Sequence, residues 1–449
     1  MDLLTFLDDS PTPFHAAANV ATRLVEEGGF TLISEREAFP TTPGRYAVQR
    51  DGALVAWVHA EAHTPITPWR IIGAHTDSPT FKVKPRPDLS KTGWQLLAVE
   101  PYGPPIFNSW LDRDLGLAGR VMIRDSSHDT GIRAELIHDR RALLRIAQLA
   151  IHLDRGVNER GLQLNPQNHL VPLWGTGDQP TSLTAYLAEQ LDCRKKDILS
   201  YDLSLTDTQP AALLGLAQDL IASPRLDNLA SCHAATEALL AVAREPKGTA
   251  YRPAMVLFDH EEVGSRSERG AASPLLGAML ERAGGGARED YWRALAGTVV
   301  ASADMAHATH PNYAELAEPN HRVVMHGGPV LKVHSELRYA TDGQGAALLR
   351  LAAEQAGVPL QTFVTRSDLP CGSTIGPITA GQLGVTTVDV GAPMLSMHSA
   401  RELAGVPDQA MYAALLTAFL AAPAARSRRP RQGRGGSSTV RVPRRRPTA

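Results

Sequence analysis

The chain has 449 residues, 43% of them hydrophobic and 20% charged, which is the composition of an ordinary globular protein. This length predicts two domains rather than a single core. The net charge is −2, but residues 426–449 contain nine arginines and no acidic residue, which leaves the rest of the chain at −11. Such an acidic body argues against nucleic acid as a partner, because phosphate binding needs a basic surface.

Targeting and redox signals are weak. Cys193, Cys232 and Cys371 are far apart and form no CxxC pair, so neither a disulfide framework nor a thiolate zinc site is supported. The first residues, MDLLTFLDDS, lack the basic and apolar regions of a signal peptide. No apolar run reaches the roughly 18 residues of a membrane span. These features predict a cytoplasmic protein without a membrane partner.

The start of the chain predicts an α/β arrangement. Residues 13–27 place their apolar side chains on one helical stripe, and Pro13 suits the first turn. The segments RYAVQ and ALVAWVHA flank Asp51-Gly52, a dipeptide typical of a tight turn between two strands. The segment RIIGAH (70–75) then predicts a short buried strand.

The middle of the chain has a different pattern. Over residues 82–222, prolines, glycines and alternating segments such as GRVMIRD predict an inserted β-rich domain, with helical pieces near 140–152 and 181–191. After Pro224 the pattern returns to a long helix, DNLASCHAATEALLAVA, and to the short apolar strands AMVLF, TVVASA and TTVDV. Strands of this kind are buried on both faces of a parallel sheet.

These elements predict a discontinuous α/β domain over residues 1–81 and 223–422, which ends in an amphipathic helix near 407–421. Residues 82–222 form the predicted insertion. Beyond Pro423 the Arg/Pro/Gly/Ser composition predicts a disordered tail over residues 423–449.

Acidic residues and histidines follow four of the predicted strands. His75 and Asp77 follow RIIGA, Glu261 and Glu262 follow AMVLF, Asp304 follows TVVASA, and His398 follows TTVDV through a loop, while Asp227 directly precedes the long helix. Ligands bind outside the carboxyl ends of the strands in an open α/β sheet, so these side chains are predicted to share one crevice.

The residue types in this crevice predict a site for two metal ions. A metal pair needs a bridging carboxylate and about two terminal ligands for each ion, a count met by His75, Glu262, Asp304 and His398 around Asp227. Glu261 is then free to act as a general base, and Asp77 can fix the tautomer of His75. Each residue alone has a structural explanation, such as a helix N-cap for Asp227 or a turn for Asp304. Their common position favours the metal site. Mixed nitrogen and oxygen ligands accept zinc, cobalt or manganese.

Six blocks of sequence occur in a fixed order. They are GAHTDSP (73–79), RLDNLASCHAA (225–235), DHEEVGS (259–265), SADMAHATHPNY (302–313), RSDLPCGSTIGP (366–377) and SMHSARE (396–402). Together they resemble the aspartyl aminopeptidase family of dinuclear zinc metallopeptidases, over about residues 1–422. The arginine-rich tail has no counterpart in that family.

The resemblance implies a zinc-exopeptidase-type sheet flanked by helices, with an inserted, barrel-like dimerisation domain. It assigns His75 and Asp304 to one zinc ion, Glu262 and His398 to the other, and Asp227 to both. It further implies that His169 reaches the substrate in a neighbouring subunit, and that Lys332 contacts an acidic side chain. The implied activity is the removal of N-terminal Asp or Glu from small peptides by metal-activated water. The implied assembly is a homo-oligomer built from dimers, up to a dodecamer.

Other functions fit part of the pattern. A related metallo-deacylase or carboxypeptidase would use the same ligand set with a different pocket, and an inactive scaffold would lack a ligand or the base. The absence of a GxSxG motif argues against a serine hydrolase.

Overall fold

The computed structural model describes residues 1–244 and 250–421. Its α-helices are α1 (Leu3–Asp9), α2 (Pro13–Gly28), α3 (Val157–Arg160), α4 (Leu183–Gln190), α5 (Leu226–Arg244), α6 (Leu275–Gly284), α7 (Arg288–Ala296), α8 (Gly343–Ala356), α9 (Ile375–Leu383) and α10 (Val406–Leu420). Within these residues, no helix has the length and apolar character needed to cross a membrane. The predicted tail, residues 423–449, lies outside the described residues.

The strands follow the same chain order. They are β1 (Thr31–Leu32), β2 (Gly44–Arg50), β3 (Ala53–His59), β4 (Trp69–His75), β5 (Thr80–Lys91), β6 (Trp94–Tyr102), β7 (Leu115–Arg124), β8 (Ile132–Leu144), β9 (Leu173–Thr176), β10 (Ile198–Asp207), β11 (Ala212–Leu214), β12 (Leu220–Ser223), β13 (Arg252–Phe258), β14 (Val299–Ala303), β15 (Ala306–His307), β16 (Val330–Val333), β17 (Gln361–Val364), β18 (Thr386–Gly391), β19 (Pro393–Leu395) and β20 (Glu402–Gly405).

A nine-stranded sheet forms the centre of the molecule, in the order β1-β2-β3-β13-β4-β14-β18-β16-β17. Its middle strands, β13, β4, β14 and β18, are parallel neighbours, which confirms the predicted α/β fold. Strand β4 is buried on both faces because its side chains alternate between two helical layers. Ile72 and Ala74 pack with α2, α5, α8 and α10, whereas Trp69 and Ile71 pack with α6, α7 and α9.

A second sheet of six antiparallel strands, in the order β8-β7-β10-β5-β6-β9, uses residues between Thr80 and Asp207. It has its own core, which includes Phe81, Trp110 and Leu203. The sheet does not close into a barrel, because its edge strands meet only through the main-chain pair of Arg145 and Leu173. The predicted β-rich region is confirmed. Its resemblance to a barrel is limited to this one bridge between the edge strands.

Two local features differ from the sequence pattern. The prediction of a helix near 140–152 is wrong, because β8 continues to Leu144 in its pairing with β7. The helix predicted near 181–191 is confirmed by α4. Strands β11 and β12 leave the six-stranded sheet and join β20, β19 and β15 in a third sheet. The domain boundaries at 82 and 222 remain a prediction.

Candidate metal centre

The site lies where the parallel strands of the central sheet end. Strand β4 ends on His75, and the partner of His75 in β13 is Phe258, the residue that ends that strand. The chain after β13 turns at once into a short 3-10 helix, Glu261–Val263. Asp304 directly follows β14, which lies on the other side of β4. Strand polarity therefore places these carboxylates beside the imidazole of His75.

Two further elements complete the cluster. Asp227 lies at the start of α5 with non-helical backbone angles, and its peptide bond to Asn228 is cis. The main-chain oxygen of Asp227 accepts a hydrogen bond of 2.6 Å from Ser78 Oγ. His398 follows β19 with a positive φ of 68°.

Asp227 occupies the middle of this arrangement. His75 Nε2 lies 3.5 Å from Asp227 Oδ1 and 3.5 Å from Asp304 Oδ1. His398 Nε2 lies 3.2 Å from Asp227 Oδ2 and 3.4 Å from Glu262 Oε2. The two carboxylate oxygens of Asp227 thus face different histidines, as a bridging carboxylate requires.

Potential ligand atoms fall into overlapping groups in which all atoms lie within 4.8 Å of one another. These groups are His75 with Asp227 and Asp304, His75 with Glu261 and Glu262, and Asp227 with Glu262 and His398. Two buried oxygens of the cluster, Asp227 Oδ1 and Glu262 Oε1, have no hydrogen-bond partner. A buried carboxylate oxygen without a partner is costly, so the donor set fits divalent cations.

The electrostatics of the cluster point the same way. Burial opposes the charging of His75, but the carboxylates of Asp227, Asp304 and Asp77 outweigh it and raise the His75 pKa. Burial raises the pKa of Glu261 to about 8, with Asp304 adding to the effect. Burial and the neighbouring Asp227 raise the pKa of Glu262 as well. Carboxylates crowded in one buried volume resist ionising together, and cations remove that conflict.

Asp77 connects several parts of the site from behind. His75 Nδ1 lies 3.0 Å from the main-chain oxygen of Asp77 and 3.4 Å from its Oδ1. The Asp77 carboxylate accepts main-chain hydrogen bonds from Glu261 (3.0 Å) and Glu262 (3.1 Å), and one of 2.7 Å from the Tyr102 hydroxyl. The His75 ring is therefore closer to the main-chain carbonyl oxygen of Asp77 than to the Asp77 carboxylate, which was the predicted partner.

Glu402 was not singled out by the sequence reasoning. Its buried carboxylate accepts a hydrogen bond of 3.0 Å from the Asp227 main-chain nitrogen and one of 2.7 Å from that of His398. Burial and the charge of Asp227 raise the pKa of Glu402. The Glu402 side chain thus holds the main chain of both Asp227 and His398 in place. The only signal in the sequence was its place at the end of the SMHSARE block.

Lys332 lies at the cluster, whereas His169 does not. Lys332 is 2% exposed, and its Nζ donates hydrogen bonds of 3.0 Å to Asp304 Oδ2 and of 3.0 Å to the main-chain oxygen of Met305. His169 is exposed on the inserted region, where its Nδ1 accepts a hydrogen bond of 3.0 Å from the Asn165 main-chain nitrogen.

A cleft of about 390 Å³ opens above the cluster and is lined by all five predicted metal ligands, Glu261 and Lys332. A second cavity of about 420 Å³ adjoins it, since His307, Tyr339 and Gly372 line both. The arrangement has the parts of a hydrolytic metal site: a set of nitrogen and oxygen ligands, an adjacent carboxylate, and space for a substrate.

Comparison with known proteins defines the class. A family model described as "Aminopeptidase I zinc metalloprotease (M18)" matches residues 6–420. The "Probable M18 family aminopeptidase 2" of Streptomyces coelicolor is 50% identical over 424 residues, which cover 93% of this chain and 96% of that protein. The chain is therefore an aminopeptidase of the zinc metalloprotease class. It belongs to the M18 family, which confirms the resemblance noted in the sequence.

Solved structures agree with this assignment. The "Cryo-EM structure of the Ape4 and Nbr1 complex" contains a chain that is 36% identical with a TM-score of 0.89, covering 93% of this chain and 84% of that one. The "S. cerevesiae mApe1 dodecamer" matches with a TM-score of 0.80 at 26% identity, covering 93% and 95%.

Proposed function

We propose that this M18 aminopeptidase binds two zinc ions and removes Asp or Glu from the N-terminus of peptides. The observation that carries the proposal is the division of the Asp227 carboxylate between two histidine–carboxylate pairs. His75 and Asp304 would hold one ion, Glu262 and His398 the other, and Asp227 both. When bound, such ions polarise a peptide carbonyl and lower the pKa of water.

The chain's own residues supply the proton transfers and the alignment. Glu261 borders the ligand set without being needed as a ligand, so it is placed to take a proton from water and return it to the leaving amine. Asp77 holds the His75 ring and the main-chain nitrogens of Glu261 and Glu262, which fixes the base relative to the ligands.

Lys332 supports the acidic specificity. A lysine ammonium has three N–H donors, and Asp304 and Met305 use two of them. We propose that the third, on an ammonium that lies 5.1 Å from the centroid of the Tyr339 ring, donates to a substrate carboxylate in the cleft. His169 would approach the cleft only from a neighbouring subunit, so its proposed role depends on assembly. The dodecameric relative supports a homo-oligomer, which we propose is built from dimers.

The adjoining cavity favours a second candidate, an aminopeptidase for apolar N-terminal residues. Its wall includes Tyr313, Leu316, Val323 and Phe363. The charged groups that line it are already paired, since Arg366 binds Asp368 and Glu318 binds His321. If the first side chain of the peptide enters this cavity rather than the Lys332 end of the cleft, Leu or Met would be preferred to Asp.

A panel of aminoacyl p-nitroanilides separates these candidates. We expect the highest kcat/KM for Asp and Glu, with activity lost on chelation and restored by zinc. In Lys332→Gln, which keeps donors for Asp304, we expect kcat/KM for Asp to fall about 10- to 100-fold relative to Leu, as for a lost hydrogen bond to a charged group. Lys332→Ala should show the same selectivity.

Controls keep the result specific to the pocket. Lys195→Ala removes an exposed lysine of the inserted region and should change neither substrate. Metal content is measured in each variant, since Lys332 contacts Asp304. Equal losses on Asp and Leu substrates at unchanged metal content would contradict the role of Lys332. A wild-type preference for Leu would favour the second candidate, and hydrolysis of N-acylated substrates would favour a deacylase.

A further inference from the structure

Residues Tyr102–Ile106, which we call the 102–106 segment, leave the end of β6 in the six-stranded sheet and enter the metal centre. Tyr102, the last residue of β6, pairs with Thr80, the first residue of β5, and it is 8% exposed. The next residues pass directly over the cluster, and Pro104 lines the cleft together with the metal-ligand candidates. The six-stranded sheet thus contributes chain to the site itself.

The first contact of the segment is made by the Tyr102 hydroxyl. It donates a hydrogen bond of 2.7 Å to Asp77 Oδ2, the same oxygen that accepts from the Glu262 main-chain nitrogen at 3.1 Å. The Asp77 side chain has no exposed surface, so water cannot replace this donor. Lys82 Nζ lies 3.9 Å from the centroid of the Tyr102 ring and holds its face.

Two more contacts follow within four residues. Gly103 has a φ of +69°, and a Cβ built on it would lie 3.0 Å from the Glu262 Cβ. A side chain at this position would be strained by the positive φ and would crowd Glu262, so glycine suits the close approach of the backbone. The main-chain nitrogen of Ile106 donates a hydrogen bond of 2.9 Å to the main-chain oxygen of His398.

We infer that the 102–106 segment positions the metal ligands, so that the six-stranded sheet is a working part of the metal centre rather than only an assembly module. The segment contacts Asp77, which lies behind His75, and it also contacts Glu262 and His398. These three residues come from separate parts of the central fold. Tyr102 is a positioning residue that acts through Asp77. This inference rests on the proposed dinuclear site.

The test is Tyr102→Phe, which removes one hydroxyl and keeps the ring. Partners behind metal ligands typically change metal affinity or activity by about 10- to 100-fold. Because Tyr102 acts one contact further out, we expect the lower end, about a tenfold fall in kcat at unchanged KM and a similarly faster loss of metal to a chelator. The visible spectrum of the Co²⁺-substituted variant should change as well, which general destabilisation would not cause.

Two controls isolate the hydroxyl. Tyr201→Phe removes a hydroxyl of the same sheet that donates 2.9 Å to the main-chain oxygen of Lys84, and it should leave kcat, metal loss and the spectrum unchanged. In an Asp77→Asn background, Tyr102→Phe should have little further effect, because Asp77, which accepts the hydrogen bond of the Tyr102 hydroxyl, is already altered.

A glycine pair gives an independent test of the segment. Gly103→Ala and Gly93→Ala both place alanine at a positive φ, +69° and +78°, but Gly93 has no atom within 4 Å of a new Cβ. We expect faster metal loss only in Gly103→Ala.

The outcomes separate the inference from the proposed function. If wild-type protein holds two metals, and Tyr102→Phe matches it within twofold in kcat, metal loss and spectrum, the inference is wrong and the proposed function stands. If the wild-type protein binds no metal, the proposed function fails and the inference fails with it.

Discussion

Two clusters of charged side chains lie within the same molecule, and their charges are balanced in different ways. In the first, which we call the arginine-paired cluster, Arg120 contacts Asp51 at 2.6 Å and Asp202 at 3.0 Å. Arg269 contacts Asp51 at 2.8 Å and Asp259 at 3.1 Å. Each carboxylate has a guanidinium, and the cluster joins the β2–β3 turn to the six-stranded sheet.

The second cluster is the metal centre, where carboxylates outnumber the cations of the chain. Among the residues that line the cleft there is no arginine, and the cluster carboxylate that pairs with Lys332 is Asp304. Two oxygens of the metal centre are buried without a partner. The arginine-paired cluster is therefore complete as folded, whereas the metal centre is arranged for cations from solution.

The largest effect should come from Glu261→Gln in the metal centre. The change keeps the shape of the side chain and removes its ability to accept a proton. We expect kcat to fall about 100- to 10,000-fold, the range for a general acid–base group, with metal content unchanged. Stopped assays with p-nitroanilides and elemental analysis measure both. A variant that retains most of its activity would show that Glu261 is not the base.

A smaller effect, of a different kind, is expected in the arginine-paired cluster. Arg120→Leu removes the arginine that contacts Asp202 and one of the two arginines that contact Asp51, and both carboxylates are exposed. We expect the free energy of unfolding to fall by about 1 kcal/mol, because water compensates exposed carboxylates. Urea unfolding measures this loss. Metal content and kcat should equal those of the wild type, and a loss of metal would mean that the two clusters are not independent.

The effect expected to be smallest at neutral pH concerns the contact between α2 and β8, which joins the two sheets. The His15 and His138 rings lie 5.9 Å apart. Burial, followed by the charge of Arg225, lowers the His15 pKa to about 4. Burial, followed by Arg140, lowers the His138 pKa to about 3, and Asp139 opposes this only weakly.

The sign of the pH dependence follows from these shifts. Between about pH 6.5 and pH 4 the unfolded chain binds protons that the folded chain does not, so stability is full above pH 6.5 and falls as the pH decreases. In His15→Gln this pH dependence should be weaker than in the wild type. Unfolding free energies at several pH values measure the difference, and parallel curves would contradict the shift at His15.

The sequence could predict the elements that local patterns define. Short apolar strands followed by charged residues located β4, β13 and β14, and their common direction explains why His75, Glu262 and Asp304 converge. The Asp51-Gly52 turn is confirmed by the pairing of β2 with β3. Each of these signals lies within a few neighbouring residues.

Long-range pairing could not be predicted in this way. Strand β12 pairs with β20, about 180 residues later in the chain, so the third sheet has no local signature. Glu402 supports the site through main-chain contacts that any glutamate could make. The sequence at the end of β8 resembles a helix, because the spacing of its apolar residues fits the helical period as well as the strand period. Its pairing with β7 makes it a strand. The role proposed for His169 would depend on a second subunit.

The metal content of the purified chain, measured by elemental analysis on the wild type and on Asp227→Ala, tests the central claim most directly. We expect two divalent ions per chain in the wild type. Because Asp227 would be shared by both ions, we expect the variant to lose both while it keeps the circular dichroism spectrum of the folded protein. A wild-type chain that binds no divalent ion after incubation with zinc, or a variant that keeps both ions, would contradict the account.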